Sequence, residues 1–112
     1  MRGHLTAAIV AVFLCAGAAA AQDFDTNNDW CFDDEAEPDR RIGACTWLLT
    51  SGRLTSESYA PVYNSRGIAY DDKGDYDRAL RDYDEAISLN PVDSIYFSNR
   101  AATHNHMNEH DK

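Results

Sequence analysis

The chain has 112 residues and a formal charge of −9, from 19 Asp and Glu against 10 Lys and Arg. That length permits one small domain at most. The charge repels phosphate backbones and anionic lipid heads, so nucleic acid and membrane surfaces are excluded as natural partners.

Residues 1–21 read as a secretory signal peptide. Met1 to His4 is a short basic start, Leu5 to Leu14 is apolar except for Thr6, and Ala19 and Ala21 form an A-x-A site before Gln22. The competing reading is an uncleaved anchor, for which the run is short and Ala-rich. Lipid attachment at Cys15 is disfavoured by bulky Leu14. The expectation is an exported protein, periplasmic or secreted, free of the membrane once cut. Arg2 is the only charged residue before Gln22, so the remaining chain is one unit more acidic than the whole.

Cys15 leaves with the leader. Cys31 and Cys45 remain as an even pair, which in an exported protein favours a disulfide. Closing that loop is worth about 3 kcal/mol in the chain-entropy model. A redox or metal pair is the alternative, but there is no C-x-x-C spacing and no His beside either Cys.

Residues 22–38 form an acidic, turn-rich arm, expected to be extended and pinned by Cys31, with Trp30 and Phe32 anchoring it on the helices. Asp25 to Asp29 resembles the start of a calcium loop. Trp30 stands where that loop needs Gly and Ala36 where it needs Glu, so the loop is rejected.

After Pro38 the periodicity is helical. Residues 39–59 hold one helix, with Ile42, Cys45, Leu48 and Leu49 on its apolar face, and a connection after Ser51-Gly52. A second helix is expected from Tyr59 to Asp72, capped by Ser56 or Ser58. Lys73-Gly74 makes the turn, with Gly supplying a left-handed conformation. A third helix follows from Asp75 to Leu89. Its apolar face is Tyr76, Ala79, Leu80, Tyr83, Ala86 and Ile87, and Asn90-Pro91 stops it. A fourth starts near Ser94. On the third helix, Asp82 and Glu85 lie within a turn of Arg78 and Arg81, which suits surface pairing.

Shifting the chain by 34 residues aligns 63–78 with 97–112. Tyr63 meets Phe97, Arg66 meets Arg100, Gly67 meets Ala101, Tyr70 meets His104 and Gly74 meets Asn108. On these residues the chain resembles the tetratricopeptide repeat (TPR) family, and its small exported bacterial members in particular. Taking Ala60 as the first position, Gly67 is the small residue between the paired helices and Tyr70 the large one beside it. Gly74 is the turn, Ala79 and Ala86 are small contacts, Tyr83 is the aromatic and Pro91 the terminator. The resemblance implies an all-α fold of antiparallel helix-turn-helix repeats. Residues 60–93 are the complete repeat. Residues 39–59 are a degenerate preceding half, and 94–112 a following repeat that reaches Lys112 before its second helix. Repeats of this kind are stabilised by stacking, so a neighbouring segment or a partner chain is expected to complete it. By the same register, Tyr63, Tyr70, Tyr76 and Tyr83 are core residues.

The resemblance places ligands on the concave face built from first helices. Here that face carries Asn64, Ile68, Asp71 and Asp72, then Ser98, Asn99, Ala102 and Asn105. Asn64 and Asn99 suit hydrogen bonds to a peptide backbone. Some TPR proteins clamp a C-terminal carboxylate with Lys and Asn at such places. The Lys is absent and Asp71-Asp72 is present, which points to a basic or neutral partner.

His106 to His110 fits H-x-x-E-H, a zinc peptidase motif needing both His on one continuous helix. The repeat register puts a turn at Asn108 and so separates them. No nucleophile pair or glycine-rich phosphate loop is present, and no cofactor is implied. The expected function is therefore an exported TPR scaffold or adaptor that binds a protein or peptide, not an enzyme, with homo-oligomers an option. The alternatives are a metal-dependent hydrolase using the His-rich tail, and a structural remnant that needs a partner to fold.

Overall fold

The computed structural model describes residues 23–110, so the leader expected over 1–21 lies outside the described residues. Five α-helices follow in order: α1 Phe24–Cys31, α2 Pro38–Thr50, α3 Tyr59–Lys73, α4 Tyr76–Leu89 and α5 Ser94–His110. A short 3₁₀ turn, Ser56–Ser58, leads into α3. No strand occurs among the described residues. Helices adjacent in the chain pack on one another, which is the pattern of a stacked helical repeat.

The acidic arm is not extended. Its first half is α1, started by the Asp23 carboxylate, which accepts from the Thr26 backbone N–H at 2.9 Å. Asn27 is buried and donates to the Asp23 carbonyl at 2.9 Å, so a residue that usually weakens helices is satisfied here. Packing on α2 outweighs the poor propensity of this segment.

Pro38 starts α2, where its missing N–H costs nothing. The buried stripe of α2 is Arg41, Ala44, Cys45 and Leu48. Ile42 and Leu49, expected on the apolar face, are only half-buried. Arg41 turns inward instead and bonds Asp72 at 3.1 Å and Asp34 at 3.4 Å. The Cys31 and Cys45 sulfurs lie 2.09 Å apart, within disulfide distance. Around them Ala44, Leu48 and Val62 form the first core, edged by Phe24, Trp30 and Trp47. Trp30 thus packs as expected, whereas Phe32 is 44 % exposed and anchors nothing.

The α3–α4 pair holds the tightest contact. Gly74 ends α3 at φ 85°, and its N–H and that of Asp75 donate to the Asp71 and Tyr70 carbonyls at 2.8 and 2.9 Å. At the crossing, a Cβ on Gly67 would sit 2.8 Å from Tyr83 Cε1. Only glycine leaves room for the Tyr83 ring against the α3 backbone here. Tyr83 is 1 % exposed, and burial pushes its hydroxyl pKa up to about 12. Tyr63 is half-buried and packs on a core cluster with Ala60, Ala86 and Tyr96, whereas Tyr70 and Tyr76 are half-buried outside it.

Arg66 fastens the pair. It bonds Asp82 through two nitrogens at 2.8 and 2.7 Å, and reaches Thr46 of α2 at 3.1 Å. Asp82, expected in surface pairs with Arg78 or Arg81, is therefore a buried partner of α3. The buried carboxylate needs a full counter-charge, and a planar guanidinium supplies it in two-point geometry. Its hydrogen bonds to Asp82 raise the Arg66 pKa further. A second core of Ala60, Ala86 and Tyr96 joins α3, α4 and α5.

Candidate protein-binding face

Most of the residues expected to contact a partner lie where α3 and α5 run side by side. Three side-chain contacts set their register. Asn99 Nδ2 donates to Asn64 Oδ1 at 2.9 Å, Thr103 Oγ1 donates to Asp71 Oδ2 at 2.8 Å, and His106 Nδ1 sits 2.9 Å from Asp71 Oδ1. The residue numbers rise together along both helices, so α3 and α5 are parallel. α4 crosses back between them in the chain. This is the arrangement that gives a repeat stack one continuous face of first helices.

The expected contact residues distribute unevenly over this face. Asn64, Asn99 and Asp71 meet across the α3–α5 seam. Each Asn spends one group on the other, leaving the Asn64 amide N–H groups and the Asn99 carbonyl oxygen for further bonds. Ser98, Ala102 and Asn105 are exposed along α5, and Ile68 is half-buried on α3. Asp72 faces away from α5 and pairs with Arg41 of α2.

Asp71 is the electrostatic centre of the far half. Its carboxylate is 13 % exposed and accepts from both Thr103 and His106. The hydrogen bond that His106 donates to Asp71, with the carboxylate's charge, raises the His106 pKa above the ordinary value. His106 and His110 also pack on Tyr76, with ring centroids 6.4 and 5.8 Å from it.

The turn expected at Asn108 is absent. α5 continues to His110, because Asn is only mildly unfavourable inside a helix and does not force the left-handed turn that Gly74 makes. His106 and His110 are therefore on one helix, as a zinc motif requires. Yet His106 Nδ1 is engaged by Asp71, and no group of three or more His, Cys, Asp or Glu is placed to hold a metal among the described residues.

At the other end the face opens into a groove of about 340 Å³. Asn64 and Ile68 of α3 and Tyr96 of α5 line it, as do Phe32 and Asp34 from the α1–α2 turn and Asp93 and Ile95 at the start of α5. Only Asn64 and Ile68 were legible as site residues. Phe32, Asp34 and Asp93 come from turns, where one available signal is an apolar residue stranded in an acidic segment, as Phe32 is before Asp33 and Asp34, and Ile95 and Tyr96 come from the first turn of α5.

Residues 60–93 match the family model described as tetratricopeptide repeat. Residues 60–93 are thus a tetratricopeptide repeat, and the chain is similar to proteins of that family. It is 40% identical over 65 residues to a Hsp70-Hsp90 organising protein of Plasmodium falciparum, covering 58% of this chain and 12% of that relative. It is 45% identical over 38 residues to the small glutamine-rich tetratricopeptide repeat-containing protein 2 of Saccharomyces cerevisiae, covering 34% of this chain and 11% of the relative. The chain thus spans about an eighth of the length of these TPR relatives. No solved structure matches it. The matched segment coincides with α3, α4 and the connection after them.

Proposed function

We propose that this TPR chain is an exported adaptor that binds a protein or peptide segment along the face shared by α3 and α5. The observation that carries this reading is the parallel α3–α5 register. It leaves the Asn64 and Asn99 amides partly unspent beside the exposed Ser98, Ala102 and Asn105. Unspent amides suit backbone recognition, and small exposed neighbours leave room for side chains. The relative whose name describes an organiser of two other proteins supports an adaptor role. Export is supported by the basic, apolar and small-residue order of 1–21, and by two half-cystine candidates whose sulfurs meet at 2.09 Å. In that setting Cys31 and Cys45 form a disulfide.

The test is selection of ligands from a random peptide library displayed on phage, followed by binding to two variants. Ala102→Trp fills the face, whereas Ser88→Trp lies on the exposed side of α4. Selected peptides lose binding to Ala102→Trp and keep it with Ser88→Trp. Equal binding to both, or an empty selection, sinks the reading.

A further inference from the structure

The groove at the head of the α3–α5 face has a chemistry of its own. Its apolar surface comes from Phe32, Pro61, Ile68, Ile95 and Tyr96. Two of these are unusually open for their size, Phe32 at 44% and Ile95 at 51%. Two carboxylates, Asp34 and Asp93, stand at its walls, and no lining residue is basic. We propose that this groove takes a cationic peptide segment, one apolar side chain seated between Phe32 and Ile95 with a Lys or Arg on either side. This rests on the reading of the α3–α5 face as a binding surface, and adds what it selects.

Charge decides the occupant. Asp34 is 86% exposed, and its one counter-ion, Arg41, approaches at 3.4 Å while also bonding Asp72. One cation shared by two carboxylates leaves net negative charge behind the groove. Asp93 spends one oxygen on the Ile95 N–H at 3.1 Å and keeps the rest of its carboxylate free. An acidic peptide would meet like charge on both walls. A purely apolar one would leave Asp34 and Asp93 without partners.

The wall that supplies Phe32 and Asp34 is held from below. Ser65, itself a groove residue, donates to the Cys31 carbonyl. Cys31 is fully buried against Cys45. A pre-positioned wall lowers the ordering cost of binding. The α1–α2 turn is thus part of the site, and a specificity wall of it.

The experiment uses the whole chain and three fluorescent peptides: Gly-Ser-Lys-Leu-Arg-Ser-Gly, a version with Glu in place of Lys and Arg, and a version with Ser in place of Leu. Anisotropy at low salt should give binding of the first at least about tenfold tighter than of either other. The double variant Asp34→Asn with Asp93→Asn keeps the α5 cap, since Asn also caps, and should cut that preference to about threefold or less. Phe32→Ser should weaken the Lys-Leu-Arg peptide and leave the serine version unchanged. Asp77→Asn, an exposed acid on α4, should change nothing. Equal or tighter binding of the glutamate peptide overturns the charge assignment. Failure of all three peptides to bind also overturns it. If library-selected peptides still depend on Ala102 in either case, the wider reading of the face stands. If they do not, both fall.

Discussion

Two helices in this molecule carry the same short pattern and end in different surroundings. On α3, Arg66 lies over the Tyr63 ring at 5.6 Å. On α5, one repeat later, Arg100 lies over the Phe97 ring at 5.4 Å. The stack spans one helical turn, so the helix alone produces it. What differs is the cover. Arg66 has α4 against it and holds a carboxylate that is 5% exposed, at two points. Arg100 reaches back to Asp84, which is 63% exposed, at one point of 2.7 Å. Phe97 remains 40% exposed, and among the described residues α5 is the last helix, with none beyond it to cover that ring. A repeat residue therefore has a fixed shape and a variable energetic value, set by whether a neighbour removes it from water.

The sharpest way to break this comparison is to delete one carboxylate from each pair. Asp82→Ala strands the Arg66 charge in a mostly buried site and should cost about 3 kcal/mol. Asp84→Ala removes an exposed partner and should cost at most about 1 kcal/mol. Urea unfolding followed by circular dichroism measures both, and equal losses would mean that cover does not set the value.

A smaller contrast exchanges the small residues of the same register. Gly67→Ala puts a methyl 2.8 Å from a ring that is fully buried, and should destabilise by about 1–3 kcal/mol. At the matching place on α5 the chain already has Ala101, and it is exposed. Ala101→Gly should cost about 1 kcal/mol, from helix propensity alone. A neutral Gly67→Ala would show that α4 can shift to make room.

The smallest effect is in pH. Asp71 raises the His106 pKa in the folded state. The added stability is then fully present below the unfolded histidine value and is lost as pH rises through the raised, folded one. His106 faces Asp71 of α3 and Tyr76 of α4, and Glu109 lies on its own helix. Proton NMR should find His106 titrating above an unstructured histidine, with the difference abolished by Asp71→Asn. A His106 that titrates normally in the parent chain would remove the strap between α3 and α5.

The helix pair was legible because punctuation and periodicity agree there. Gly74 and Pro91 bracket α4, Asp75 caps it, and its Ala and Tyr residues recur at helical spacing. The family expectation and the all-helical fold followed from those same residues. α1 was hidden, because a segment rich in Asp and Asn has no helical pattern until α2 covers it. The inward turn of Arg41 and the burial of Asp82 were hidden for a related reason. A charge reads as surface unless its partner, distant in sequence, is known. Asn108 shows the converse error. Repeat register foretold a turn, but the residue permits one without imposing it. Of the candidate face, the helical half could be read from the register. Phe32, Asp34 and Asp93 could not, since turns are placed by tertiary packing that the sequence pattern does not encode, and Ile95 joins them only because that packing brings the start of α5 beside them.

Arg66 has a consequence for how the molecule breathes. One guanidinium touches α2 through Thr46 and α4 through Asp82 while rooted in α3, and it lies over both Tyr63 and Tyr70. No one of these three helices can detach without exposing the same cation's bonds. They are expected to open to solvent together, as a single exchange unit, with hydrogen exchange giving one shared opening free energy for the amides of all three. α5 lies outside that knot and is held by separate contacts, from Asn99, Thr103 and His106 to α3 and from Arg100 to α4, so the α5 side of the proposed face can adjust while the frame behind it stays shut.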